Sequence, residues 1–240
     1  MMRDGHPLDE LLRQRALLAA REASAHGGPR LQELRLWQAA RLMTTYADLR
    51  RDPRCADAIG FFLSDVYGLS GHARRDQDLE RAAERLERSL PEAALRVLVH
   101  ALELQLLTAE LDQSMAAELG AGPIDWHSYA SAYRKVGRAE ARRQQIELVL
   151  AIGKDLESLV ARDWMALALR AARAPAVLAG YGALHDFLYR GFAAFRKVGD
   201  PARLLRAISD REGRLSAALF SGAALPAEIV GLGASPAMGG

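Results

Sequence analysis

Leu95-Arg96-Val97-Leu98-Val99-His100-Ala101-Leu102-Glu103-Leu104-Gln105-Leu106-Leu107-Thr108-Ala109-Glu110-Leu111 is the stretch whose reading decides the fold. Wound as a helix, it leaves almost no polar side. A helix that is apolar nearly all round has to be enclosed by other elements. His100, Glu103 and Gln105 are its conspicuous polar residues, and no run of about 18 apolar residues exists to cross a bilayer. The spacing therefore predicts a buried central helix over about 91–118, with Ser89 and Glu92 spaced as a capping box at its start.

The flanking chain supplies the enclosing helices. Leu8, Leu11, Leu12, Leu18 and Ala19 recur at helical spacing over 8–25, and Gly27-Gly28-Pro29 closes that segment. A second helix is predicted over 30–51, with Leu31, Leu34, Leu42, Tyr46 and Leu49 inward and Asp52-Pro53 breaking it. Ile59, Phe62, Leu63 and Val66 form the stripe of a third over 55–67, with Gly68 and Leu69 suited to its C-terminal cap. Asp76 is the expected cap of a fourth. Beyond the central helix, Asp125 caps a short helix that Gly137 stops, and another covers 138–160. One more covers 162–173, Pro175 opens a helix to about 197, and Asp200-Pro201 opens the last, to about 219.

The expectation is an all-α, single bundle-like domain of about nine or ten helices over 30–219. Residues 1–29 form an N-terminal helix and loop, loosely attached, and the Gly-, Ala- and Pro-rich 220–240 reads as a disordered tail.

Composition agrees. Half of the 240 residues are hydrophobic and only 6% are aromatic. Ala, Leu, Arg and Glu, all strong helix formers, dominate. The net charge of +2 is too small to mark a dedicated nucleic-acid module. The one cysteine, Cys55, cannot close an intrachain disulfide, which fits a cytoplasmic setting. Nucleophile elbows, P-loops, dinucleotide fingerprints and Cys-x-x-Cys pairs are absent from the sequence.

At Phe61, Phe62, Leu63 and Tyr67 the chain resembles the bacterial FFLEELY motif family, an uncharacterised group of helical proteins. It departs at Ser64 and Asp65, where that motif has two glutamates, and at Val66. Further segments also look like the family: Arg75-Asp76 with Asp78, Leu102-Glu103-Leu104 with Glu110-Leu111-Asp112, and Tyr133-Arg134. Gln145-Ile146, Arg173-Ala174-Pro175, and Gly191-Phe192 with Phe195-Arg196 complete the resemblance, which spans roughly 30–215. It implies an all-helical fold and no particular reaction.

Candidate chemistry is sparse. His100 and Glu103 share a helix face, and His185 sits at a core-like position between Tyr181 and Leu188. With Tyr133 they form a candidate buried polar pocket, the alternative reading being a small-molecule or metal-cofactor bundle. The bland reading makes each a hydrogen-bonded core residue, Glu103 paired to Arg134, Arg143 or Arg170. His185-Asp186 also spells the dyad of metal phosphohydrolases, without the upstream histidine those need. Arg134, Arg138, Arg142 and Arg143 cluster about Gly137 as candidate anion contacts; the competing reading is a solvated face paired with Glu140 and Glu147. Trp126, Tyr129 and Tyr133 read as a core stripe. The sequence assigns no metal and no cofactor and leans away from an enzyme. The leading expectation is a non-catalytic protein that associates with itself or a partner protein, with neither membrane nor nucleic acid as partner.

Overall fold

The computed structural model describes residues 8, 10–14, 16–17, 28–66 and 72–230. Those residues hold eleven bounded α-helices, one π turn and no strand. In chain order they are α1 (Gly28–Thr45), α2 (Ala47–Arg51), α3 (Ala56–Phe61) and its π continuation Phe62–Val66. Then come α4 (His72–Ser89), α5 (Glu92–Glu118), α6 (Trp126–Val136) and α7 (Ala139–Val160). The last are α8 (Asp163–Leu178), α9 (Gly182–Arg196), α10 (Pro201–Ser221) and α11 (Ala227–Val230).

The all-α expectation holds, with α5 at the centre. Its buried residues Ala93, Leu98, Leu102, Leu104, Leu106, Leu111 and Met115 point to several sides of the helix. On one side Leu98 and Leu102 meet Leu79, Ala82 and Ala83 of α4 and Leu184 of α9. On another Met115 joins Leu34, Tyr129, Tyr133, Leu215 and Leu219. The expected aromatic stripe is core: Trp37 stacks on Tyr129 and meets Trp126 edge-on. Asp125 accepts from the Ser128 amide and Ser128 returns the bond, so the α6 cap is a reciprocal box. Asp200 caps α10 ahead of Pro201 in the same way expected.

Several boundaries differ, each for a local reason. The helix predicted over 30–51 starts at Gly28 and breaks at Tyr46. Arg211 of α10 donates to the Thr45 carbonyl at 2.7 Å, giving that acceptor a partner outside the helix. Asp76 lies within α4, which begins at His72, so it is not that helix's cap. The Ser89–Glu92 box does not form: α4 runs through Ser89, Pro91 occupies the N-cap, and Glu92 pairs with Arg96. Pro175 lies inside α8 rather than opening a helix; the stop comes at Gly180, whose φ is +79.

The N-terminal stripe is used within the fold. Leu8 and Leu12 are buried in the cluster with Leu79 and Leu98, whereas Leu17 is exposed. Leu18, Ala19, Tyr67, Gly68 and Leu69 lie outside the described residues. Part of the expected tail is ordered: Ile229 of α11 is fully buried, and its carbonyl accepts from the Thr45 hydroxyl.

Candidate functional site

A cavity of about 780 Å³ lies between α1, α5, α7, α9 and α10. Ile146, Val149, Ile152 and Leu156 give it one wall from α7, at the spacing of one helix face. They are only half-buried although they sit in the interior, because they face space rather than packed atoms. Phe61 and Phe62 close another side. The helices nevertheless approach tightly around it. A Cβ on Gly191 would lie 2.8 Å from the Phe61 ring, and one on Gly153 2.2 Å from Leu205.

One region of the lining is polar and is assembled from five helices. Arg35, Gln38 and Arg41 of α1 stand one turn apart; Thr108 and Asp112 of α5 do likewise. Asp112 is buried and accepts from Gln38 at 3.1 Å and from Arg35 at 3.4 Å. Burial pushes its carboxyl above the usual range, opposed by Arg35, Gln38 and Arg142. Glu212 of α10 accepts from Arg41 at 2.6 Å and from the Tyr46 hydroxyl at 2.9 Å. The Tyr133 hydroxyl meets Ser216 at 3.0 Å, and burial pushes the neighbouring Tyr129 hydroxyl up to about 12.

Arg142 of α7 is the residue that this network leaves incomplete. It is 8% exposed, and its guanidinium carbon lies 4.6 Å from the centre of the Tyr133 ring. Nη1 donates to Gln145 at 3.2 Å, and Gln145 is fixed in turn by its own bond to Thr108 at 2.8 Å. Nε and Nη2 are buried without a hydrogen-bond partner.

The residues singled out from sequence are dispersed. Tyr133 lines the cavity; His100, Glu103 and His185 do not. His100 is half-buried, with Nδ1 3.6 Å from Asp155, which Arg96 holds at 2.8 Å. His185 is buried, its Nε2 2.7 Å from the Leu169 carbonyl and its ring stacked on Tyr189. Glu103 is half-buried; Arg134 and Arg143, two of its expected partners, are engaged elsewhere. Arg134 donates to the Leu219 carbonyl, Arg138 lies 3.5 Å from Glu110, and Arg143 pairs with Glu140 and Glu147. Of the four candidate anion contacts, Arg142 alone lines the cavity. Among the described residues no group of three or more His, Cys, Asp or Glu could hold a metal ion. No helix among them is long and apolar enough to cross a membrane.

Sequence reasoning passed over Asp112, Arg35, Gln38 and Glu212 as site residues. A signal existed for Asp112: it follows Thr108 by four and precedes Met115 by three, on the buried stripe of α5.

The family model described as "Domain of unknown function (DUF8198)" matches residues 17–226. No curated protein and no solved structure matches the chain.

Proposed function

Since the chain belongs to the DUF8198 family, a domain of unknown function, we propose a function from its interior geometry: it binds an elongated apolar small molecule in the central cavity. The observation that carries this is the cavity itself, about 780 Å³ and walled mainly by aliphatic and aromatic side chains. That volume falls in the range of small-molecule sites, about 300–1,000 Å³. Apolar walls that face space rather than packed atoms forgo dispersion contacts that a hydrocarbon occupant would restore. Water is a poor filler, because each molecule needs two to four polar partners and most of this wall offers none. The likeness to FFLEELY motif proteins bears on the same reading, since Phe61, Phe62 and Leu63 line the cavity.

The test is titration of the full chain with 1-decanol, read by native mass spectrometry and thermal melting. Saturable one-to-one binding that raises Tm is expected. Absence of a one-to-one complex, or no change in Tm at saturating probe, would overturn the reading.

A second reading, association with another copy of the chain, is favoured by α8. Trp164, Leu167, Ala171, Ala174 and Leu178 are exposed at alternating spacings of three and four, the seam spacing of paired helices. Leu167 is 69% exposed and Leu178 89%.

A further inference from the structure

The cavity lining carries three guanidiniums, Arg35, Arg41 and Arg142, against two carboxylates, Asp112 and Glu212. Two of the guanidiniums are matched: Arg35 with Asp112 at 3.4 Å and Arg41 with Glu212 at 2.6 Å. Among the described residues, Arg142 forms no ion pair with a carboxylate within 4.0 Å, and the site keeps one surplus positive charge. A buried charge without a partner is costly, and a guanidinium cannot shed its proton to escape that cost.

The free atoms of Arg142 have a defined geometry. Nε and Nη2 form one edge of the guanidinium, with two nearly parallel N–H bonds. That edge matches the two oxygens of a carboxylate, which can accept both bonds at once. The third nitrogen is held by Gln145, which Thr108 anchors, and Tyr133 backs the plane of the group. Gln145 and Tyr133 thus hold the guanidinium on one nitrogen and one face, and its free edge, which has almost no accessible surface, must turn toward the cavity to take a head group.

We propose that the ligand is a long-chain carboxylate, its head group held bidentately by Arg142 Nε and Nη2 and its hydrocarbon chain lying in the apolar cavity. This rests on the cavity reading above and adds the identity of the head group. One surplus positive charge selects a monoanion. A phosphate monoester, carrying close to two negative charges, would leave excess negative charge in a low-dielectric site.

The experiment compares decanoate, 1-decanol and decyl phosphate on the full chain by isothermal titration, for wild type, Arg142→Met and Arg142→Lys. Decanoate should bind wild type at least about tenfold tighter than decanol, the scale of a charge-assisted hydrogen bond. Decyl phosphate should bind no tighter than decanoate. Arg142→Met should abolish the acid-over-alcohol preference while leaving decanol affinity within about threefold. Arg142→Lys keeps the charge, should keep part of the preference, and serves as the test if the methionine variant does not fold. Equal affinities of acid and alcohol in wild type would overturn the head-group assignment alone. So would a preference undiminished in Arg142→Met, or unchanged in Arg142→Lys if that is the variant that folds. A tighter decyl phosphate complex would overturn the choice of carboxylate. Failure of all three probes to bind would remove the cavity reading and this proposal with it.

Discussion

Asp112 is the most consequential carboxylate of the interior because burial and ion pairing act on it in opposite directions. Burial dominates and raises its pKa, so between the unfolded value near 4 and the raised folded value the native state holds a proton that the unfolded chain lacks. Stability contributed at this site therefore falls as pH rises through the folded value. Below the unfolded value the group is neutral in both states and the penalty vanishes. Asp112→Asn keeps the shape without the charge. Relative to wild type, the variant should gain stability as pH rises above the unfolded value, and the gain should level off beyond the folded one, measured by paired denaturant melts. Parallel pH curves would show that burial is not what governs this residue. Its neighbour Arg142 was legible as a basic residue but not as a buried one. Its sequence neighbours Arg138 and Arg143 sit on the solvated side, as the competing reading of that cluster expected.

Among elements, the most instructive junction is the start of α9. Its first amides need acceptors that a helix cannot supply for itself, and Tyr181 at the N-cap provides no side-chain bond. Asp78, buried on α4, accepts from Ala183 at 3.1 Å and Leu184 at 3.2 Å. Arg81 ties the other Asp78 oxygen, at 2.7 Å, to the Gly180 carbonyl at 3.0 Å. The cap thus comes from over one hundred residues away, as no local spacing could reveal. Asp78→Ala should cost about 1–2 kcal/mol in chemical denaturation, and Asp78→Asn, which keeps one acceptor, clearly less. Equal stability of Asp78→Ala and wild type would refute the cap. Local caps, by contrast, were readable: Asp125, Gly137 and Asp200 act within four residues of their targets. Pro175 misled because proline is best tolerated in a first turn, whereas here it sits inside α8 three residues before its end, forgoing the bond to the Ala171 carbonyl, and Gly180 provides the stop.

For the molecule as a whole, the fold class was legible because one overwhelmingly apolar helix admits no other solution. The cavity was not, since its polar groups come from helices up to 171 residues apart. Empty space also has no residue pattern: Val149 and Ile152 look like ordinary core positions in the sequence. The outer surface carries its own prediction. If the α8 seam pairs two copies, static light scattering should give a dimer mass that falls to monomer in Leu167→Glu/Leu178→Glu, with Tm no lower at high dilution. A wild type that stays monomeric at high concentration would rule the pairing out.

One residue at the α6–α7 elbow has consequences for how the sequence can change. Arg138 has φ 56, directly after Gly137 at φ 64. An ordinary side chain in that left-handed basin carries about 1 kcal/mol of strain that glycine or asparagine would largely relieve. Arg138 therefore marks unclaimed thermal tolerance one turn before the buried guanidinium. Variants selected for growth at higher temperature would be expected to change this position early, without disturbing the interior.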